Sequence, residues 1–322
     1  MRHAAAPLLM DVLRVIDLIK RNVADLISLF VVPIFVALLP WSIGFRVLKG
    51  LARYDRRHRA AVEQAWQAAK AHLPEQNEAD WKRRFRLLRL LERTDTWLVL
   101  FRSSRWWARR IDQVGEWPKQ GGPFVLLTYH WGGGQWVWRQ LHHHDIQAHF
   151  LAKRAAVSDL GAGRVSLWYA RFRELGIRRP GNREIIYTGG SSEKIQDALR
   201  MGRSVVGMMD VPAASHQASL QRPLLDGAIR FPIGLARLAN ELDVPVVVFS
   251  CAFDINNGRR MLNVISLPAG TPVETTASVY VQHLGACLQA ENAFWQIWQA
   301  APLMFAQVEP DSATAPQAAQ LE

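Results

Sequence analysis

Cysteine is nearly absent from this 322-residue chain: only Cys251 and Cys287 occur. They form no Cys-x-x-Cys pair and join no histidine cluster, so neither a disulfide framework nor a zinc site is signalled. Both read as small core residues, and a reducing compartment fits best. Acidic residues are also few, 28 Asp and Glu against 39 Lys and Arg, for a formal net charge of +11. A surface of that sign attracts phospholipid headgroups, acidic carrier proteins and nucleic acid alike. No nucleic-acid motif accompanies the charge, so nucleic acid is not expected as a partner. Missing too are a phosphate-cradling P-loop, a dinucleotide fingerprint and, at Ser191-Ser192, the pattern of a nucleophile elbow. The run His142-His143-His144-Asp145 places its imidazoles on consecutive residues that converge poorly on one ion, so no metal is expected. No redox cofactor is implied, and no internal repeat is visible.

What is present in quantity is apolar and aromatic. Hydrophobic residues make up 49% of the chain, enough to bury one large core, and thirteen are tryptophans. Several lie among arginines, as in Arg102-Ser-Ser-Arg105-Trp106-Trp107-Ala-Arg109-Arg110, a combination that suits a membrane interface. From Leu26 to Phe45 there is no formal charge. As a helix that stretch reaches about 30 Å, the thickness of a hydrocarbon core. Pro33 and Pro40 interrupt it, so a shallow or hairpin-like insertion competes with a straight span. A cleaved signal peptide fits poorly, because the apolar run starts late and lacks a small-x-small exit. Between Ala60 and Arg110, leucines at helical spacing alternate with Lys82, Arg83, Arg84, Arg86, Arg89 and Arg93, the pattern of a basic amphipathic helix.

After Gly121-Gly122 the character changes. Phe124 to Tyr129, Ala148 to Ala152, Ser204 to Met209 and Val244 to Cys251 read as buried strands. Helical patterns fall at 165–176, 191–201 and 233–242, and a last helix is expected from Thr276 to Ala300. Such alternation predicts an α/β fold with a central, mostly parallel sheet flanked by helices, behind an N-terminal hydrophobic and amphipathic helical region. The expected divisions are a membrane-associating segment 1–55, a basic helical region 56–115, a catalytic domain 116–306 and a disordered tail 307–322.

The sharpest local feature is Phe124-Val-Leu-Leu-Thr-Tyr-His130-Trp-Gly-Gly-Gly-Gln135-Trp. A buried strand delivers His130 at its carboxyl end, where open α/β sheets place their active sites. A base near neutral pKa is what acyl transfer to an alcohol requires, and histidine supplies it. Gly132, Gly133 and Gly134 would let backbone N–H groups approach a carbonyl oxygen or phosphate.

Together with Leu39-Pro40, Gly202-Arg-Ser-Val-Val-Gly-Met-Met-Asp210 and Phe231-Pro-Ile-Gly-Leu-Ala-Arg-Leu-Ala239 followed by Val244-Pro-Val-Val-Val, these residues carry a resemblance. The chain resembles the bacterial lipid A biosynthesis (late) acyltransferases, relatives of the glycerophosphate and lysophospholipid acyltransferases. The resemblance implies a glycerolipid-acyltransferase-like fold, His130 as general base and Asp210 as a second polar group of the site. The family mark is His, four residues, then Asp or Glu, and here that position holds Gln135. Gln135 would set the imidazole tautomer as orienting partner without supplying negative charge. On that view Gln135→Glu should raise the rate. The family's basic, Trp-rich C-terminal stretch is also only half present, since Asn292-Ala-Phe-Trp295-Gln-Ile-Trp298 keeps the aromatics without the arginines. Lys153 and Arg154 map approximately to a family segment near the active site, and they, with Arg171, are candidates for phosphate binding.

The expected function is therefore transfer of a fatty acyl chain from acyl carrier protein or a coenzyme A thioester to a hydroxyl of a lipid or glycolipid, at the cytoplasmic face of a bacterial inner membrane. The rival, favoured by Gln135, is a catalytically impaired relative that binds lipid or carrier protein as an accessory subunit.

Overall fold

Pro33 stands inside the apolar N-terminal segment, and the helix passes through it. The computed structural model describes residues 5–54, 59–73, 75–119, 122–154, 163–181, 184–215 and 217–305, and the expected tail 307–322 lies outside them. Helix α1 (Ala5–Leu26) runs through a π-helical turn (Ile27–Val31) into α2 (Val32–Leu38). Proline lacks an N–H and its ring crowds the carbonyl four residues back, and one widened turn just before it accommodates both. The carbonyl so released, that of Leu29, accepts the indole N–H of Trp97 at 3.0 Å. Pro40 does end a helix: Leu39 is extended, with ψ of 157°. The guanidinium of Arg102 donates to the Ala37 and Leu39 carbonyls at 2.6 and 2.7 Å, satisfying the last turn of α2.

Helices α3 (Trp41–Tyr54), α4 (Arg59–Lys70), α5 (Glu78–Phe101) and α6 (Ser104–Ala108) follow. Asn77 caps α5, its side-chain oxygen accepting the Asp80 N–H at 2.9 Å, with Glu78 and Asp80 suiting the positive end of the helix. The leucines of α5 at 87, 88, 90 and 91, with Trp81 and Phe85, are buried in the common core. Strand β1 (Ile111–Val114) falls within the expected helical region and joins the sheet at its edge.

The rest alternates as expected, with one short strand that the patterning did not predict, the fourth: β2 (Val125–Thr128), α7 (Val137–His143), β3 (Ala148–Ala152), α8 (Arg164–Gly181), β4 (Ile186–Tyr187), α9 (Ser192–Arg200) and β5 (Ser204–Met208). Next come β6 (Ser219–Leu224), β7 (Gly227–Pro232), α10 (Gly234–Glu241), β8 (Val246–Phe253), β9 (Arg260–Leu267), α11 (Val273–Glu291) and α12 (Ala301–Phe305). Seven strands form one sheet in the order β1-β9-β8-β2-β5-β3-β4, and β6 with β7 makes a separate hairpin. Every pairing in the large sheet is parallel except β8 with β9. The protein is thus α/β, with a mostly parallel sheet flanked by helices. The last helix stops nine residues earlier than the pattern suggests, at Glu291 rather than Ala300. Three indoles hold the break: Trp131 donates to the Glu291 carbonyl, Trp81 to the Asn292 side chain and Trp298 to the Asn292 carbonyl, each at 2.8 Å.

Two devices tie the helical layer together. Arg260 and Asp95 form a fully buried ion pair, with the guanidinium between the rings of Trp41 and Trp107 at 4.7 and 5.6 Å. On α1, Asn22 Oδ1 accepts the Val165 N–H at 3.2 Å and Asp25 Oδ2 accepts the Ser166 hydroxyl at 2.6 Å, so α1 supplies acceptors to the first turn of α8. The outer side of the segment Val15–Leu38 is apolar and exposed at Val15, Ile19, Val23, Leu26, Ile27, Val31 and Phe35, and the segment is long and apolar enough to cross a membrane.

Candidate active site

Neighbouring parallel strands bring the two central residues together. In the β2/β5 ladder Thr128 stands opposite Met208, and two residues further along each chain stand His130 and Asp210. The His130 backbone N–H donates to Asp210 Oδ2 at 2.9 Å, and its Nδ1 lies 3.0 Å from Asp210 Oδ1. A carboxylate only accepts, so Nδ1 carries the proton and Nε2 keeps the lone pair. The Asp210 side chain is 0% exposed, whereas that of His130 is 29% exposed. The imidazole therefore has one edge held from within, while the ring reaches solvent.

The buried carboxylate is surrounded by donors. Trp295 Nε1 donates to Asp210 Oδ2 at 2.9 Å. The Tyr280 hydroxyl accepts the N–H groups of Met209 and Asp210, both at 3.0 Å, and its one proton lies between the Thr128 carbonyl at 2.8 Å and Asp210 Oδ1 at 3.2 Å. Burial pulls the His130 pKa down, but the charge and hydrogen bond of Asp210, with a contribution from Glu92, outweigh it and hold the imidazole above its ordinary value.

Gln135 does not orient His130, contrary to the sequence expectation. Asp210 already occupies Nδ1, and buried Gln135 instead points at α8, its Nε2 donating to the Arg173 carbonyl at 3.4 Å. The orienting role open to a side chain here is taken by Asp210, from the next strand.

The glycine turn also differs from expectation. The Gly132 N–H donates to the Phe294 carbonyl at 2.9 Å and the Gly133 N–H to the Cys251 carbonyl at 3.1 Å, so neither is available to a substrate oxygen. What Gly132 provides is close approach: its φ is +71°, and an added Cβ would sit 1.8 Å from the Cys251 carbonyl oxygen. The Gly134 N–H makes no backbone hydrogen bond among the described residues and remains as a donor of the turn.

Lys153 and Arg154 are exposed just beyond β3, two strands from β2 and at the same edge of the sheet, about 10 Å away by interstrand spacing. The Arg154 guanidinium rests over the ring of Tyr187 at 4.8 Å. Arg171 is exposed on α8, and the arginine that faces the turn is Arg173, whose Nη2 donates to Glu92 at 2.8 Å. Tyr280 and Trp295 thus hold Asp210, and Glu92 with its partner Arg173 lies against the glycine turn; none of the four was among the expected site residues. Trp295 stood in a noted aromatic stretch, but the two charged residues gave no signal, being single charges on two helices 81 positions apart.

Among the described residues no group of three or more His, Cys, Asp or Glu is arranged to hold a metal ion. No protein-family model matches the chain, and no curated protein matches it.

Proposed function

We propose that this protein is an O-acyltransferase working at a membrane surface, with His130 as general base. One observation carries the reading: an imidazole at the carboxyl end of a central strand, held through Nδ1 by a fully buried carboxylate while its side chain remains 29% exposed. In the reaction, the hydroxyl oxygen of a lipid or glycolipid attacks the carbonyl carbon of an acyl thioester while Nε2 takes the hydroxyl proton. The C–O bond forms, the C–S bond breaks, and the proton passes from Nε2 to the departing thiolate of acyl carrier protein or coenzyme A. Asp210 stabilises the transient imidazolium and fixes the tautomer. The glycerolipid-acyltransferase fold belongs to the same reading, supported by His130 and Asp210 ending adjacent parallel strands. Membrane attachment, on the cytoplasmic side of a bacterial inner membrane, is supported by the exposed apolar side of Val15–Leu38 and by the basic surface.

The purified full chain, assayed with labelled acyl-carrier-protein and acyl-CoA donors against lysophospholipid and glycolipid acceptors, tests this. Turnover that falls by about 10³-fold or more in His130→Ala supports it. Absence of turnover with every donor, alongside intact lipid binding, would replace it with the accessory-subunit reading.

A further inference from the structure

A second carboxylate packs against the glycine turn that follows His130. Glu92, midway along α5, has a side chain only 16% exposed. Its Cγ and Cβ lie against Gly133, where an added Cβ would meet them at 3.9 and 4.0 Å. The Arg173 ion pair fixes its Oε1 at 2.8 Å. Arg173 is held in turn by the helix that receives Gln135, since its carbonyl accepts the Gln135 amide. The resemblance places a carboxylate at 135, and this chain has there a neutral amide turned away from the imidazole. The charge that this position lacks is present beside the turn on a different element.

We propose that Glu92 is a positioning residue of the site, lending His130 a second negative charge that stabilises the imidazolium formed as the hydroxyl proton is taken. The proposal rests on the reading of His130 as the base. The charged groups that act on the ring are Asp210 after β5 and Glu92 on α5; Glu92 in turn is faced by Arg89 and Arg93 on its own helix and by Arg173 and Tyr169 on α8, and Asp210 by the Tyr280 hydroxyl on α11. Burial opposes the Glu92 charge, but Arg173, Arg89 and Arg93 outweigh it and hold its pKa below the ordinary value, so it is ionised at neutral pH. Arg89 is engaged as well with the loop behind His130: it donates to Gln296 Oε1 at 2.7 Å, and the Gln296 backbone N–H donates to the His130 carbonyl at 2.7 Å. The turn that carries His130 therefore has two carboxylates beside it, one fully buried and bonded to the imidazole, the other packed on Gly133 and paired with arginine.

The test is a titration of His130 in the full chain, ¹³C-labelled at histidine Cε1 in detergent micelles, with its resonance assigned by its loss in His130→Ala. In Glu92→Gln the ring should titrate at a pH lower by roughly 0.5 or more, and kcat should fall about 5- to 10-fold with KM within about twofold. Glu92→Asp should restore most of both. Because Glu92→Gln leaves Arg173 without its partner and can impair folding, Glu92→Gln/Arg173→Gln serves as the second variant, and its His130 should also titrate lower than in the parent. A His130 titration unmoved in either folded variant overturns the role of Glu92, whatever the activity does. Full turnover in His130→Ala would instead overturn the acyl-transfer reading, leaving the titration result to stand by itself.

Discussion

The indole of Trp97 donates to the carbonyl of Leu29, the acceptor that Pro33 leaves without an intrahelical donor. The ring also stacks on Phe172 at 4.7 Å and meets Phe30 at 5.5 Å, so one side chain joins the N-terminal helix to α5 and α8. Trp97→Phe should cost about 1 kcal/mol in urea unfolding, because the half-buried carbonyl loses its donor. Pro33→Ala introduces an N–H that can bond Leu29 itself, so the tryptophan substitution should cost less in that background. Equal costs in the two backgrounds would remove Pro33 from the explanation.

Asp210→Asn should be the most damaging isosteric change at the site. An amide in place of the carboxylate supplies no charge to the imidazolium and can present N–H to Nδ1, favouring the wrong tautomer. A loss on the order of 10⁴ in kcat, as in the corresponding serine-protease substitution, is expected in steady-state assays with the fold intact by circular dichroism.

The pH dependence has a definite sign. On the proposed reading His130 acts as base only when neutral, and, against the effect of burial, Asp210 holds its pKa above the ordinary imidazole value of 6.5 in the fold. Activity should therefore rise with pH through a midpoint above 6.5. The stabilisation that protonated His130 gains from its carboxylate is complete below 6.5 and disappears as pH rises through the same midpoint. A kcat/KM profile flat from pH 6 to 8 would contradict the assignment.

Gln135→Glu should not raise the rate, contrary to what the His-x4-acid pattern alone suggests. The new carboxylate would face the Arg173 carbonyl oxygen that Gln135 now donates to, in a buried position. A loss of about 1–3 kcal/mol and unchanged or lower turnover are expected, read by thermal unfolding and single-turnover assay.

Gly132→Ala and Gly134→Ala should separate cleanly. At Gly132 the methyl meets the Cys251 carbonyl at 1.8 Å in a backbone conformation with positive φ, whereas at Gly134 the nearest atom is the Cys251 Cβ at 3.9 Å. The first should cost more than ~2 kcal/mol and the second little, by melting temperature.

The four central strands were legible because each is a short run of Val, Leu, Phe and small residues bounded by turns. Strand β9 was not, since it opens on Arg260, which is buried only because Asp95 and two indoles receive it. Strand β1 was hidden by the polar pair Asp112-Gln113 at a sheet edge. The overlong last helix shows tertiary bonding overriding propensity: the stretch from Asn292 to Ala300 contains helix formers, and the indoles of Trp81 and Trp298 take up the polar groups of Asn292 while that of Trp131 takes the Glu291 carbonyl. At the site, the strand pattern placed His130, and the resemblance placed Asp210. The meeting of Glu92 with Arg173 depends on how two helices cross, which local spacing does not encode.

The acceptors that Asn22 and Asp25 offer to Val165 and Ser166 have a practical corollary. Trimming the apolar N-terminal helix to improve handling would strip the opening turn of α8 of those partners and loosen the helix that carries Arg173. Weakened packing of Arg173 on Glu92 in such a truncation would then be a folding defect, and adding back lipid would not repair it.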